Sequence, residues 1–260
     1  MPTTTPIELY IGESGKSFSA RNATNVDRQP AGLNFYELHW PFKSMGSVII
    51  KQGVTRLPVD YVLSVTGTED MDLHNEGLSD IKINSAISKE ERISHDEARI
   101  KTFAYLQNIT QLGWAVTIPR SMARIRGKNM SDYLLQTDKY TTLDPTYVPT
   151  LNEWMQYEDR TTWEFYNDRA FLSVQITRDY TLTDPLKPGA YLLSTNIQSE
   201  AEHFRDYVDG LDRTRWKQLL HAEVKNLTRI REKKEAALRA KGVPVDETYV
   251  DPPLPDLSKY

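Results

Sequence analysis

The sequence predicts an α+β fold: a mostly antiparallel sheet with a packed helix near residues 94–112, followed by a C-terminal helical part with one long helix near residues 212–241. Three observations support this prediction. Short β-branched and aromatic runs bounded by Gly or Pro are typical of strands joined by turns. The stretch near 94–112 carries apolar residues at helical spacing. The C-terminal third is highly charged, and the first half of its long helix has one apolar face.

These elements divide the 260 residues into four segments. We predict an N-terminal strand and arm at 1–31, an α+β core domain at 32–197, C-terminal helices at 198–242, and an extended, Pro-rich acidic tail at 243–260. The composition, 39% hydrophobic and 26% charged, is ordinary for a globular protein and supplies enough apolar residues for a core.

The N-terminal segment contains a stretch, IGESGKSFS, that ends like a phosphate-binding loop. That motif, G-x-x-x-x-G-K-[ST], wraps phosphates in backbone N–H groups at the start of a helix. With Lys16 as its lysine, the first glycine belongs at position 10, which is Tyr10, and Gly12 comes two positions late. The residues that follow have no apolar helical stripe. We therefore predict a Gly-Ser turn after a strand at residues 7–11, and no nucleotide site.

The core domain begins with three predicted strands, in LNFYELHWPF, SVIIKQGV and DYVLSVTG. The first helix follows them. Ser94 and Glu97 have the spacing of a capping box, with Ser88 and Glu91 as an alternative start, and Gly113 stands where a helix commonly ends. The stretch WAVTI then predicts another strand.

The second half of the core domain predicts a short helix and a hairpin. Thr150 and Glu153 are spaced as a cap pair, so this helix begins at about Leu151. In the stretch TTWEFYNDRAFLSVQITRDYT, Asn167 and Asp168 supply the positive-φ positions of a tight turn. The strand after the turn places alternate residues on one core face: Ala170, Leu172, Val174 and Ile176. A further strand, GAYLLSTN, follows.

The composition excludes several kinds of site. The chain has no cysteine, which excludes disulfides, zinc–thiolate sites, iron–sulfur clusters and cysteine nucleophiles. Its net charge is −4, so the chain as a whole lacks the excess of basic residues that non-specific nucleic-acid binding requires. No apolar run approaches the ~20 residues that span a bilayer. The N-terminus does not have the pattern of a signal peptide, so the compartment stays open between the cytoplasm and, after removal of an anchor, the periplasm.

The histidines do not form a recognisable catalytic or metal-binding set. Glu200 and His203 form one E-x-x-H pair, whereas di-metal bundles need two. His221 and Glu223 approach His203 only if the two C-terminal helices pair. His95 lies at the start of a predicted helix. The acidic residues beside it are favourable there because they interact with the positive end of the helix dipole. We therefore predict no metal, no cofactor and no catalytic residues.

Two basic clusters and a group of aromatic residues are the candidates for partner binding. One cluster lies in PRSMARIRGK, and the other lies on the long helix. In one interpretation, neighbouring carboxylates neutralise the basic clusters, and some of these carboxylates belong to an acidic tail folded back over the helix. In the other, the basic clusters form an edge that binds an acidic protein partner. Aromatic residues in EWMQYEDRTTWEFY serve as interface anchors where they are exposed. The candidate residues are Arg120, Arg124, Arg126, Lys128, Trp154, Tyr157, Arg229, Arg231, Lys233 and Lys234.

Residues 90–180 resemble a known class of protein. The succession SHDEAR, LGWAVTIPR, LDPTYVPTLNEWM and TTWEFYNDRAFLSVQITRD is similar to immunity proteins encoded beside secreted antibacterial toxins, in type VI secretion and related loci. The resemblance implies a bacterial protein that binds and blocks a cognate protein effector. It also implies residues used for surface complementarity rather than a catalytic set.

Three functional hypotheses follow from the sequence. The first is a non-catalytic immunity protein that occludes a toxin. The second is an adaptor or structural component of a secretion or phage-like assembly, which docks through the long helix and the tail. The third is an enzyme. A deep pocket that holds carboxylates or histidines with perturbed pKa values would favour this hypothesis.

Overall fold

The computed structural model describes residues 5–22, 25–29, 32–137, 142–157, 161–208 and 210–260. The strands in these ranges are β1 (Ile7–Tyr10), β2 (Asn25–Arg28), β3 (Leu33–His39), β4 (Gly46–Gln52), β5 (Thr55–Asp70), β6 (Leu78–Ala86), β7 (Ala115–Val116), β8 (Thr161–Asn167), β9 (Ala170–Arg178) and β10 (Tyr191–Ser199). The α-helices are α1 (Gly15–Asn22), α2 (His95–Gln111), α3 (Lys128–Thr137), α4 (Leu151–Gln156), α5 (Glu200–Arg205) and α6 (Trp216–Arg239).

The strands form one sheet, with the order β1-β4-β5-β6-β10-β9-β8-β7; off this path, β3 pairs with β5 and β2 pairs with β3. The long strand β5 pairs with β4 along Thr55–Val62 and with β3 along Ser64–Asp70, so two short strands share one of its edges. β1 and β4 are parallel, and the other strand pairs are antiparallel. The predicted α+β class with a mostly antiparallel sheet is therefore confirmed.

The predicted central helix is α2. The Ser94 hydroxyl accepts a hydrogen bond from the Glu97 N–H, and Gly113 follows the helix with a φ of 96°. Its apolar face packs on the sheet, where the Phe103 ring meets the Trp163 ring of β8 edge-on at 5.6 Å. The Tyr105 hydroxyl lies 3.1 Å from the Thr195 hydroxyl of β10.

The opposite face of the sheet carries the C-terminal helices. Phe171 and Leu172 are neighbours on β9, so their side chains point to opposite faces. Leu172 joins the main core, whereas Phe171 packs with Phe204 of α5 in a second apolar cluster. That cluster also contains Trp216 and Leu220 of α6. The predicted long helix is confirmed, but it begins at Trp216 because residues 210–215 form a 3-10 turn.

The predicted N-terminal arm contains a helix, α1, that the sequence analysis missed. Its Phe18 side chain is fully buried, although the helix has no repeated apolar stripe. The N-terminal end of α1 is occupied by the Glu69 carboxylate, which accepts hydrogen bonds from the Gly15 N–H (3.0 Å) and the Tyr36 hydroxyl (2.7 Å). A carboxylate is favourable at this end of a helix for the same reason that a phosphate is.

Candidate functional site

The second basic cluster contains a buried arginine. Arg231 of α6 is 6% exposed, and its guanidinium donates to both carboxylate oxygens of Asp251 in the tail, at 2.7 and 2.9 Å. It also donates to the backbone carbonyls of Met122 (2.9 Å) and Pro119 (3.1 Å). These bonds join three separate segments of the chain, so Arg231 has a structural role rather than a place on a free surface.

The first basic cluster is neutralised in the same way. The Arg124 guanidinium donates two bonds of 2.8 Å to the buried Glu235 carboxylate, which also accepts the Arg124 N–H. Burial alone would raise the pKa of Glu235, but these bonds lower it below its usual range. Arg126 pairs with Asp246, and Arg120 pairs with Asp251. The structure thus agrees with the interpretation in which the tail folds back and neutralises the basic residues.

The remaining basic candidates are spread over the surface. Lys128 pairs with Asp132 and Glu153. Lys234 is partly buried, with its ammonium 3.3 Å from the Met122 sulfur. Arg229 and Lys233 are exposed on α6. Arg126 and Lys128 are exposed as well, but each forms an ion pair within the chain, so four of the ten candidates lie on the surface.

The two aromatic candidates are buried, which corrects their prediction as interface anchors. Trp154 is 1% exposed and Tyr157 is 5% exposed. The Tyr157 hydroxyl lies 2.7 Å from the Ser131 hydroxyl inside the core. Neither side chain can contact a partner without local unfolding, because both belong to the main apolar core.

Trp154 instead belongs to a buried network beneath the β9–β10 loop, residues 179–190. His95 of α2 is 1% exposed, and burial lowers the pKa of its ring, so the ring is neutral at pH 7. Its Nε2 donates to the Asp184 carbonyl at 3.1 Å, and its Nδ1 then accepts from the Tyr191 hydroxyl. The Trp154 indole donates to the same hydroxyl at 3.3 Å.

Both ends of the β9–β10 loop are held as well. Backbone hydrogen bonds of 2.8 and 3.0 Å join Gly189 to Ile93 in both directions. At the other end, Arg178 donates to the Trp154 carbonyl at 2.8 Å, and its guanidinium lies over the Trp154 and Tyr191 rings. The loop is therefore ordered by contacts with α2, α4 and β10.

The tip of this loop presents two large apolar side chains to solvent. Tyr180 is 83% exposed and Leu186 is 93% exposed. Side-chain turns stabilise the backbone beside them, since the Asp179 carboxylate accepts the Thr181 N–H at 2.9 Å and the Asp184 carboxylate accepts the Leu186 N–H at 3.0 Å. A rigid loop with an exposed aromatic and an exposed aliphatic side chain can insert into a complementary protein surface.

A cleft lies on the opposite side of the sheet, beneath α5 and α6. Its outer lobe has a volume of about 510 Å³ and is lined by residues of the sheet, α5, α6 and the tail. A smaller inner lobe of about 170 Å³ lies beside it. Both lobes are lined by Thr117, Glu164, Phe171 and His203, so the two lobes are adjacent.

Burial shifts the pKa values of three groups around this cleft. It lowers the pKa of His203 to about 4, and the ring stacks on Phe171 with the centroids 3.5 Å apart. It raises the pKa of the Tyr207 hydroxyl to about 12. It also raises the pKa of Asp80, whose carboxylate accepts a bond of 2.8 Å from the Asn196 amide.

Two further predictions concern metals and membranes. Within the described residues, no three His, Cys, Asp or Glu side chains lie together as metal ligands, and His221 is exposed on α6. No described helix combines the length and the apolar character needed to cross a membrane.

Sequence reasoning did not identify the loop or the cleft. The loop had one signal, the succession DPLKPG, which marks a turn but not its exposed side chains. The cleft had none, because its walls come from strands, helices and a tail that are distant in sequence. Comparisons of the chain with protein-family models, with curated proteins and with solved structures found no match.

Proposed function

We propose that this chain is a non-catalytic binding protein, an immunity protein that binds a cognate antibacterial toxin and occludes its active site. The proposal draws on the resemblance of residues 90–180 to such proteins. The main supporting observation is that the β9–β10 loop exposes the Tyr180 and Leu186 side chains to solvent above a buried hydrogen-bond network.

The network beneath the loop supports a binding role on energetic grounds. Burying polar groups such as those of His95 and Tyr191 is costly unless each is satisfied. Here both ring nitrogens of His95 have partners, so the network is satisfied and rigid. A loop that is already ordered loses little conformational entropy on association, which favours tight binding. The apolar groups that it exposes contribute nothing to folding and are available to a partner.

The proposal is tested by co-expressing the chain with the product of each neighbouring gene. We expect one product to inhibit growth when it is expressed alone and to be harmless in the presence of this chain. Native mass spectrometry then detects a stable stoichiometric complex of the two. If no neighbouring product forms a complex and none is neutralised, the proposal fails.

The adaptor hypothesis has less support because the residues it needs are engaged within the chain. Arg231 and Glu235 of α6 face the core, and the Tyr249 hydroxyl in the tail accepts the Ile118 N–H at 2.8 Å. A native mass of the isolated chain that shows self-assembly through residues 212–260 would favour the adaptor instead.

The cleft partly meets the condition that would favour an enzyme, since it holds a histidine with a shifted pKa. A general base is most effective when its pKa lies near the working pH. With a pKa of about 4, His203 is a weak base at pH 7, and its ring is stacked on Phe171. These properties suit binding better than proton transfer.

A further inference from the structure

We propose that His95 is a pH-dependent switch beneath the β9–β10 loop: a proton on its ring releases the loop and weakens the binding of a partner. The switch consists of the His95 ring, the Tyr191 hydroxyl and the loop backbone at Asp184 and Gly189. The effect on a partner rests on the proposed function, whereas release of the loop is a property of this chain alone.

The backbone of the loop lies directly on the His95 ring. The side chain is 1% exposed, and its Nε2 donates to the Asp184 carbonyl at 3.1 Å. A Cβ atom at Gly189 would lie 2.5 Å from Cε1 of the ring, so the far end of the loop is in contact with it as well. The ring therefore cannot leave its site unless the loop moves.

The hydrogen bonds around the ring depend on one acceptor. A carbonyl oxygen only accepts, so the bond to Asp184 places the proton on Nε2 and leaves Nδ1 as an acceptor. The Tyr191 hydroxyl donates its single proton to this Nδ1. The Trp154 indole and the Arg178 guanidinium both donate to the hydroxyl. Among these groups, Nδ1 is thus the acceptor that the hydroxyl proton requires.

Protonation of the ring removes that acceptor. An imidazolium has two N–H donors and no acceptor, so the Tyr191 hydroxyl would then face donors on every side. A buried donor without a partner is unfavourable, and a second positive charge near Arg178 adds repulsion. The proton is bound more favourably once the ring turns out into water, which requires the loop to open.

Charged groups on the neighbouring elements agree with this assignment. Burial is the main cause that lowers the pKa of His95, and Arg178 of β9 lowers it further, whereas the Asp184 carbonyl and carboxylate oppose the shift. That carboxylate is already bound by the Lys187 ammonium at 2.9 Å. Burial raises the pKa of Tyr191 on β10, so its hydroxyl stays protonated, and α4 contributes an indole that does not titrate. The acidic residues that follow the ring on α2 are paired on the same helix: Asp96 with Arg99 and Glu97 with Lys101.

The direction of the pH dependence follows from these contacts. The ring has an ordinary pKa of 6.5 when the loop is open and a lower pKa when the loop is closed over it. Below pH 6.5 the open form binds the proton and the closed form does not, so acid favours opening. The equilibrium shifts toward the open form by about tenfold for each pH unit, until the pKa of the closed form is reached.

Hydrogen exchange of the full chain, followed by NMR between pH 7.5 and 5.0, measures release of the loop. Protection factors correct for the intrinsic pH dependence of exchange. The amides of Gly189 and Ile93, which bond to each other across the base of the loop, should lose about tenfold in protection for each pH unit below 6.5. The amide of Ile197, in the middle of the sheet, should keep its protection.

Two variants assign the effect to His95. His95→Asn places an amide oxygen that does not titrate near the position of Nδ1, so loop protection should no longer fall in acid. Tyr191→Phe removes the donor that stabilises the neutral ring, so release should occur at a higher pH than in the native chain. His221→Asn removes an exposed histidine of α6 and is the matched control, with the pH dependence of the native chain.

The affinity of the cognate toxin, measured by calorimetry at pH 7.5 and 5.5, tests the effect on a partner. It should fall in acid for the native chain and not for His95→Asn. Constant protection of Gly189 across the pH range, an equal loss in His95→Asn, or an unchanged midpoint in Tyr191→Phe would overturn the switch. Should His95→Asn not fold, the midpoint in Tyr191→Phe decides. Loop release without any toxin partner would support the switch and count against the proposed function, whereas an affinity that stays constant while the loop opens would overturn the link to binding.

Discussion

Gly15 is the residue with the tightest steric requirement in the N-terminal segment. A Cβ atom at this position would overlap the Tyr36 ring, whose hydroxyl holds the Glu69 carboxylate at the start of α1. We expect Gly15→Ala to lower the free energy of unfolding by about 2 kcal/mol or more, because the ring must move and its hydrogen bond is disturbed. Urea unfolding measures the change.

Gly210 is the matched control for that substitution. A Cβ there meets no atom within 4 Å, so Gly210→Ala should change stability by less than about 0.5 kcal/mol. Equal stability of the two variants would show that a Cβ atom at position 15 is tolerated beside the Tyr36 ring.

His203 makes stability depend on pH in a defined window. Its ring has a pKa of about 4 in the folded chain and an ordinary value of 6.5 when exposed, so between these pH values the unfolded chain binds the proton and the folded chain does not. Stability should therefore fall as the pH drops from 6.5 to 4, by about 3 kcal/mol in total from this group.

The measurement compares urea unfolding of the native chain and of His203→Phe at several pH values. Phenylalanine preserves the stacking on Phe171 but does not titrate, so the variant should lose less stability on acidification than the native chain. Parallel pH profiles of the two proteins would contradict this assignment.

At the scale of elements, buried ion pairs hold α6 and the tail against the core. Glu235 is 2% exposed and accepts three hydrogen bonds from Arg124. Glu235→Ala leaves the guanidinium and a backbone N–H without their partner, so we expect a loss of about 3–5 kcal/mol in the free energy of unfolding. Glu232→Ala, one turn earlier on the exposed side, should cost less than about 0.5 kcal/mol. A Glu235→Ala variant as stable as this control would argue against a structural role for the pair.

The elements that sequence reasoning identified are those with local signals. The caps at Ser94 and Thr150 use side-chain bonds to N–H groups three residues later, so short sequence spacing predicts α2 and α4. The β8–β9 hairpin was also found, although its turn is shifted by one residue: Asp168 and Arg169 have positive φ, and Asn167 ends β8.

The elements that were missed depend on tertiary contacts. α1 begins where the distant Glu69 accepts the Gly15 N–H, and no neighbour in sequence signals that contact. α3 was not predicted, and it begins at Lys128, the last residue of the basic stretch PRSMARIRGK. The predicted strand WAVTI is reduced to the two residues of β7. Local patterns therefore predicted the class of fold but not these boundaries.

At the scale of the whole molecule, the same distinction explains the candidate sites. The basic residues were found by composition, but whether they face a partner or a carboxylate depends on where the tail lies. Trp154 was found as an aromatic residue, but its burial beneath the β9–β10 loop depends on contacts with residues that are distant in sequence, such as Tyr191, which also bonds to His95. Exposure is a property of the folded chain and cannot be read from residue type.

The affinity of loop variants for the cognate toxin tests the central claim most directly. Tyr180→Ala and Leu186→Asp change exposed side chains, so both variants should fold with the stability of the native chain. Each is expected to weaken the complex by about 30-fold or more and to abolish protection in co-expression. Val54→Asp, at a fully exposed apolar position on the β4–β5 turn, should bind like the native chain. Unchanged affinity in both loop variants, or an equal loss in Val54→Asp, would contradict the account.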